Sequence, residues 1–129
     1  MSVLAITGGT GFVGSRLIDL ALAAGHEVRA LTRRPQPARA GVVWIEGALD
    51  TTEALGRLMT GADAVIHVAG VVNAPDRAGF VTGNITGTQA VVDAAERAGA
   101  RRFVHVSSLA AREPDLSLYG WSKDEAEQV

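Results

Sequence analysis

The sequence has no cysteine among its 129 residues, which excludes disulfide bonds and thiolate chemistry and agrees with a reducing cytoplasm. The formal net charge is only −2, so no general attraction to nucleic acid or to an anionic membrane is expected. No apolar run approaches the roughly 20 residues that span a bilayer, and the N-terminus lacks the basic segment typical of a secretory signal. We therefore expect a cytoplasmic protein whose partners include neither nucleic acid nor membrane.

Metal-binding patterns are also missing. The three histidines are His26, His67 and His105, and no pair has the spacing to a carboxylate that a metal site would need, so no metal is predicted. His67 and His105 are expected inside strands, whereas His26 is expected to be exposed. What the chain does have is a high apolar fraction, 47%, which is typical of one domain built around a buried parallel sheet.

Strand-like and helix-like segments alternate along the chain, which is typical of α/β proteins. Strands are predicted at 2–7, 27–31, 42–45, 64–68 and 102–107, and helices at 12–24, 52–59, 80–98 and from 118 onward. The first helix is expected to bury a face made of Phe12, Leu17, Leu20 and Ala24. Right-handed crossovers predict the strand order 3-2-1-4-5, with a ligand crevice at the carboxyl ends of strands 1 and 4.

A glycine-rich turn joins the first strand to the first helix. Residues 7–14 read TGGTGFVG, with Gly8, Gly11 and Gly14 three positions apart. Such a turn lets backbone approach a pyrophosphate and points a helix N-terminus at it. An ordinary flexible loop is the alternative, but the position in the first strand–helix unit favours a phosphate site. The predicted cofactor-binding residues here are Gly8, Thr10, Gly11, Phe12, Val13 and Gly14.

A second motif, YGWSK at 119–123, lies downstream and is preceded by HVSS at 105–108. With GGTGFVG at 8–14, HVAG at 67–70 and NITGT at 84–88, it resembles the extended branch of the short-chain dehydrogenase/reductase superfamily over nearly the whole chain. The resemblance implies a Rossmann-type doubly wound parallel sheet that binds NADP or NAD. It also implies an oxidoreductase or epimerase/dehydratase that transfers hydride at a hydroxyl or carbonyl carbon of a small molecule, such as a sugar nucleotide or carbonyl compound.

The end of the second strand bears on the choice between the two cofactors. In NAD-binding proteins of this fold an acidic residue there binds the ribose 2′-hydroxyl. Thr32 takes that place here, followed by Arg33 and Arg34. No carboxylate repels a 2′-phosphate, and a guanidinium could bind one. NADP is therefore the expected cofactor, with Arg33 favoured over Arg34, although both arginines could simply be solvated loop residues.

Two further strand ends are expected to border the cofactor. In related chains Gly-Asp-Leu often follows the third strand and its Asp contacts adenine; Gly47, Ala48 and Leu49 stand here. The resemblance then leaves a backbone contact from Ala48 and packing of Leu49 on the adenine. The small residues Ala69 and Gly70 after the fourth strand would let backbone pass close to the ribose, or serve tight packing.

The proposed proton-transfer residues are Tyr119 and Lys123, four apart and so on one helix face. A phenol is a poor acid at neutral pH, and a neighbouring ammonium stabilises its phenolate. That ammonium can also bind the nicotinamide ribose. By resemblance Ser108 hydrogen-bonds the substrate oxygen, in preference to Ser107, and Asn84 supports the active site through backbone and water contacts.

Length is the main departure from the family, because its extended members continue well beyond the point that matches Val129 and build a substrate-binding lobe there. The predicted unit is a nucleotide-binding domain over 1–129 whose C-terminal substrate lobe is absent. On this interpretation the chain is catalytically silent alone and covers its open fifth strand by pairing with another chain, as a homo-oligomer, or by aggregation. The Ser108–Tyr119 segment is also short, so a non-catalytic, structural or redox-sensing NADP-binding module is the alternative function.

Overall fold

The computed structural model describes residues 1–129 as helices packed on both faces of a sheet. The strands are Val3–Thr7 (β1), Glu27–Thr32 (β2), Val42–Glu46 (β3), Ala64–His67 (β4) and Arg102–His105 (β5). The helices are Phe12–Ala23 (α1), Thr52–Met59 (α2), Arg77–Phe80 (α3), Gly87–Ala98 (α4) and Leu118–Glu127 (α5). A π-helical turn, Val81–Thr86, joins α3 to α4, and a 3₁₀ turn, Leu109–Arg112, lies between β5 and α5.

The five strands are parallel and lie in the order β3-β2-β1-β4-β5, so the predicted Rossmann-type topology is confirmed. The register pairs Thr7 of β1 with His67 of β4, and His67 with His105 of β5. These three residues therefore lie side by side where their strands end. This carboxyl edge is the place where such sheets bind ligands.

The two faces of the sheet bury separate apolar clusters because alternate residues of each strand point in opposite directions. On β1, Ala5 belongs to the cluster packed by α2 and α4, and Ile6 belongs to the cluster packed by α1. Val91, Ala94 and Ala95 lie on the buried face of α4. No helix combines the length and apolar character that crossing a membrane would require.

The prediction of which residues α1 buries was wrong for most of the residues named. Phe12 is 95% exposed and Leu20 is 53% exposed, whereas the helix buries Gly14, Ile18 and Ala21. The cause is the glycine turn, since a Cβ on Gly14 would lie 1.9 Å from the carbonyl oxygen of Gly8. This close contact sets the rotation of the helix, and apolar periodicity alone could not reveal it.

Three local expectations also differ from the structure. The long helix begins at Arg77 instead of residue 80, because Asp76 caps it by accepting a hydrogen bond from the Gly79 N–H at 3.0 Å. His26 is partly buried and accepts a hydrogen bond from the Ser2 N–H at 3.0 Å. The fifth strand ends at His105 and not at residue 107. The helix ends at Ala98, as predicted, and Gly99 follows it with φ 72°.

Candidate active site

The glycine turn closes on itself between β1 and α1. Gly8 has φ 72°, and its carbonyl accepts the Gly11 N–H at 3.2 Å. A Cβ on Gly8 would lie 2.6 Å from the backbone nitrogen of Ala69 on the neighbouring strand end. Gly8 and Gly14 are therefore glycines because the fold has no room for a side chain at either position.

Gly11 is different, since nothing in the protein opposes a side chain there. It has φ −82° and ψ −179°, which any residue adopts, and a Cβ would meet only the Gly8 oxygen at 3.5 Å. Thr10, Gly11, Phe12 and Val13 are all exposed. The first turn of α1 contains no acidic residue, so this helix N-terminus presents backbone N–H groups to solvent without a competing carboxylate.

Thr32 lies at the end of β2 with its hydroxyl fully used inside the protein. It donates to the Arg34 carbonyl at 2.6 Å and accepts from the Arg34 N–H at 3.3 Å and from Gln36 Nε2 at 3.4 Å. The residue is 4% exposed, so it shapes the turn and does not offer a free hydroxyl to a ribose. Arg33 and Arg34 are exposed, and the protein's salt bridge joins other residues, Arg39 and Asp19.

The loop after β3 is held by Thr51. The Ala48 N–H donates to Thr51 Oγ1 at 3.1 Å, and the Ala48 carbonyl accepts the Thr51 N–H at 3.0 Å. Of the Ala48 backbone groups, only the carbonyl therefore keeps hydrogen-bonding capacity for a ligand. Leu49 is half-buried and packs against the core cluster beside α4, where a Cβ on Gly87 would lie 2.8 Å from Leu49 Cδ1.

Three proposed site residues converge just after β4. A Cβ on Gly70 would lie 2.8 Å from Asn84 Oδ1 and 3.8 Å from Lys123 Nζ. Gly70 comes from a strand end, Asn84 from the π-helical turn and Lys123 from α5, so only the tertiary fold brings them together. The glycine is required here because a larger residue would collide with the Asn84 amide.

The Asn84 side chain is buried and satisfied on all sides. Its Oδ1 accepts the Val71 N–H at 2.8 Å, and its Nδ2 donates to the Val71 carbonyl and to Ser122 Oγ, each at 2.9 Å. Ser122 is buried as well and donates to the Tyr119 carbonyl at 2.8 Å. Asn84 thus connects the segment after β4 to the helix that carries Tyr119, which makes it a positioning residue.

Lys123 is 4% exposed, and its Nζ donates to the Val106 carbonyl at 3.0 Å. Burial lowers the pKa of Lys123 from its ordinary value, and the nearby Glu127 carboxylate opposes that shift. An ammonium has three donors, so two remain for a ribose hydroxyl or a phenol oxygen. Tyr119 lies one turn earlier on the same face, half-buried, with its ring 6.4 Å from that of Phe80.

Ser108 lies beyond the strand end, at the N-cap of the 3₁₀ turn, where its Oγ accepts the Ala110 N–H at 3.1 Å. This contact uses an acceptor site and leaves the hydroxyl proton free to donate. The 3₁₀ turn packs on α5, because a Cβ on Gly120 would lie 2.5 Å from the Ala110 oxygen. That close packing keeps Ser108 next to the helix of Tyr119, whereas Ser107 Oγ is buried without a hydrogen bond.

Four further residues with no predicted role are buried at this edge: Thr7, His67, Thr88 and Ser122. Thr7 ends the apolar run of β1, and His67 interrupts an apolar run that continues with Val68 and Ala69; a polar residue at such a position was their only signal. Thr88 and Ser122 lie within the NITGT and YGWSK motifs. The structure joins all four, directly or through Asn84, into one hydrogen-bonded group.

Several known proteins are similar to this chain. The model of a family described as NAD(P)H-binding matches residues 8–128. A ceramide reductase of Caulobacter vibrioides is 46% identical over 98% of this chain, and a 3-beta-hydroxysteroid dehydrogenase of Mycolicibacterium neoaurum is 32% identical over 80%. The solved structure of MoeE5 in complex with UDP-glucose and NAD superposes with a TM-score of 0.86 at 29% identity over 99% of this chain.

The matched proteins are longer than this chain. It spans 41% of the ceramide reductase, 31% of the steroid dehydrogenase and 47% of MoeE5. The part of the chain that the family model matches, residues 8–128, contains the glycine turn, the Asn84 turn and the helix of Tyr119 and Lys123.

Proposed function

The chain belongs to the NAD(P)H-binding family within the extended short-chain dehydrogenase/reductase superfamily, and on that basis we propose that it provides the cofactor-binding and proton-transfer half of a reductase or dehydrogenase. The observation that carries the proposal is the convergence of Gly70, Asn84 and Lys123, with Tyr119 on the same helix face as Lys123. The Lys123 ammonium lies beside the segments that follow β4 and β5, and such sheets bind dinucleotides at their carboxyl strand ends.

The bound nicotinamide would supply or accept the hydride at a carbon that carries an oxygen. In the reducing direction Tyr119 gives its hydroxyl proton to the substrate oxygen as that carbon becomes an alcohol carbon. Lys123 stabilises the resulting phenolate and binds the ribose hydroxyls. Ser108 donates a hydrogen bond to the same substrate oxygen and orients it.

The substrate class that we propose is a small molecule with a carbonyl or secondary hydroxyl group. Support comes from the two relatives, which are named for reduction of a ceramide and oxidation of a hydroxysteroid, at 46% and 32% identity. MoeE5, with UDP-glucose bound, is less similar at 29%, so sugar nucleotides are the second class to test. The direct assay is loss of NADPH absorbance with panels of lipid ketones and sugar nucleotides, carried out on a longer version of the protein that includes the substrate lobe, because this chain alone is expected to be silent. No turnover of any compound by that longer protein would contradict the proposal.

A non-catalytic NADP-binding module is the second candidate. It is favoured by the position of Lys123 Nζ, which is bonded to the Val106 carbonyl at 3.0 Å, and by the loss of a side-chain adenine contact at Ala48. Tight NADP binding without turnover in the same panels would support this candidate.

The glycine turn gives a sharp test of cofactor binding. Gly11→Val should leave the circular dichroism spectrum and melting temperature near wild type, because the backbone there suits any residue. It should weaken NADP(H) binding by about 100-fold or more, since a side chain would block at least two charge-assisted hydrogen bonds to phosphate. Calorimetric titration measures the affinity.

Gly14→Val is the matched control for that variant, because the same side chain would here collide with the Gly8 carbonyl. It should lower the melting temperature strongly, as overpacking does. If Gly11→Val binds NADP(H) normally, the turn is not the phosphate site.

Cofactor preference tests the role of Arg33. NADP(H) should bind about 10- to 100-fold more tightly than NAD(H), which is the range for one charge-assisted contact to the 2′-phosphate. Arg33→Ala should remove most of this difference by weakening NADP(H) alone. Arg101→Ala, an exposed arginine before β5, should change neither affinity. Equal affinities of the wild type for NADP(H) and NAD(H) would contradict the proposed role of Arg33.

A further inference from the structure

His67 is a buried, fully bonded histidine at the carboxyl edge of the sheet, and the direction of each of its hydrogen bonds can be worked out. The Oγ1 atom of Thr7 accepts the N–H groups of Val68 and Ala69, each at 3.1 Å. Those two bonds occupy both acceptor sites of the hydroxyl. Its proton must therefore point to the remaining neighbour, His67 Nδ1, at 2.6 Å.

The other ring nitrogen follows from the first. With Nδ1 as an acceptor, a neutral His67 carries its proton on Nε2, which lies 3.1 Å from Thr88 Oγ1. Thr88 in turn donates to the Asn84 carbonyl at 2.6 Å. Each residue in the order Thr7, His67, Thr88, Asn84 therefore donates a hydrogen bond to the next one. We call these four hydrogen-bonded residues the His67 chain. A proton on Nδ1 would oppose this order, because Thr7 has no acceptor site left.

The surroundings of His67 oppose a charged ring as well. The His105 ring stacks on the His67 ring, with centroids 5.5 Å apart. The positive charge of Lys123, on α5, disfavours a second positive charge on His67. Burial, with smaller effects from His105 and Lys123, lowers the pKa of His67 to about 3. Thr7 from β1 and Thr88 from α4 are uncharged. The His67 chain therefore keeps one arrangement at neutral pH.

The two ends of the His67 chain lie at the two halves of the candidate active site. One end holds the backbone of Ala69, which precedes Gly70, and the other holds the carbonyl of Asn84. The Asn84 side chain is also hydrogen-bonded to both the N–H and the carbonyl of Val71. Asn84 is thus tied to the segment after β4 both through its side chain and, by way of His67, through its carbonyl.

We propose that His67 is a positioning residue, held as the neutral Nε2–H tautomer, that sets the spacing between the cofactor-facing backbone at Ala69–Gly70 and the Asn84 turn. This role rests on the proposed function in one respect, namely that the cofactor lies against that backbone. The spacing matters because Gly70 has so little room, with Asn84 Oδ1 only 2.8 Å from where its Cβ would be. A small shift of the Asn84 turn therefore changes the space left for a ribose beside Gly70.

Two variants at Thr88 separate positioning from simple packing. Thr88→Val keeps the shape but removes the acceptor of the Nε2 proton and the donor to Asn84, whereas Thr88→Ser keeps both. Thr88→Val should bind NADP(H) about three- to tenfold more weakly, the fold-change of one ordinary hydrogen bond, and Thr88→Ser should bind like wild type. Thr86→Val, at an exposed position of the π-helical turn, is the neutral control.

General destabilisation is controlled by Val28→Ala, which removes core methyl groups from β2 without touching the His67 chain. It should lower the melting temperature yet leave NADP(H) affinity unchanged at a temperature where both proteins are folded. If Thr88→Val lowers affinity no more than Val28→Ala does, the positioning role is overturned.

Nitrogen NMR of the imidazole rings tests the tautomer without any cofactor. His67 should show a protonated Nε2 and an unprotonated Nδ1, with no titration between pH 8 and about pH 5. A protonated Nδ1, or titration near pH 6.5, would overturn the proposed arrangement. Since this readout needs neither cofactor nor substrate, its failure is distinguishable from failure of the proposed function, which would appear as loss of NADP(H) binding or turnover in the wild type.

Discussion

Replacing Tyr119 by phenylalanine is expected to lower kcat by about 10²- to 10⁴-fold, the contribution of a positioned general acid. The change removes only the hydroxyl, and the ring should keep its place against Phe80. Because Lys123, Asn84 and the glycine turn are untouched, affinity for NADP(H) should stay within about twofold of wild type, well inside the 1.4 kcal/mol of a tenfold change. The measurement is steady-state turnover of a ketone substrate by a longer version of the protein that includes the substrate lobe, paired with calorimetric titration of the cofactor.

A matched variant makes the Tyr119 experiment selective. Phe80→Leu leaves the hydroxyl in place and loosens only the ring contact, so it should lower kcat far less than Tyr119→Phe. Equal, measurable turnover by wild type and Tyr119→Phe would exclude the phenol as the proton donor, whereas absence of turnover in both would favour the non-catalytic interpretation.

Acidification is expected to destabilise the fold by roughly 4 kcal/mol between pH 6.5 and pH 3, through His67 alone. The pKa of His67 is about 3 in the folded protein, against 6.5 for an unperturbed histidine. Between these values the unfolded chain binds a proton that the folded protein does not. The free energy of unfolding therefore falls as the pH is lowered through this window, by up to about 1.4 kcal/mol per pH unit.

Two neighbouring groups, His105 and Lys123, also have lowered pKa values that change how stability depends on pH. Burial, and then the charge of Lys123, lower the pKa of His105 as well, with Glu127 in opposition, so His105 adds to the loss of stability in acid. The lowered pKa of Lys123 makes stability rise as the pH is raised from the folded pKa towards the 10.5 of an unperturbed lysine, because over that window the unfolded chain holds a proton that the folded protein has lost.

Denaturant unfolding at several pH values between 7 and 4 measures how the free energy of unfolding changes with pH. The comparison variant is His67→Gln, whose amide offers one acceptor and one donor but does not titrate. It should be less stable than wild type at pH 7 and should lose less stability on acidification. Parallel pH profiles for the two proteins would show that His67 does not cause the acid sensitivity.

Local patterns predicted much of the architecture. Helix α2 has the predicted bounds, and the strand order follows from alternating elements with right-handed crossovers. These features depend on residues close together in the chain, where periodicity, glycine stops and strand-forming runs act directly. The motifs also predicted that Asn84, Tyr119 and Lys123 belong together.

Other features depend on contacts that no local pattern contains. The rotation of α1 is set by the close approach of Gly14 to the Gly8 carbonyl, so the apolar residues Phe12 and Leu20 point to solvent. The π-helical turn that carries Asn84 was not foreseen, since nothing in its sequence differs from an ordinary helix. Ser108 was expected at a strand end but caps a 3₁₀ turn, because the strand loses its partner after His105.

By itself, then, the sequence determined the family, the order of elements and the residue types that could bind a dinucleotide and move a proton. The tertiary structure alone decided which of them meet. Thr7 and His67 are 60 residues apart, and Asn84 and Ser122 are 38 apart, so their hydrogen bonds exist only after parallel pairing has aligned the strand ends. The physical reason is that secondary structure follows from short-range periodicity, whereas buried polar groups are satisfied by whatever partners the packed layers bring within about 3 Å.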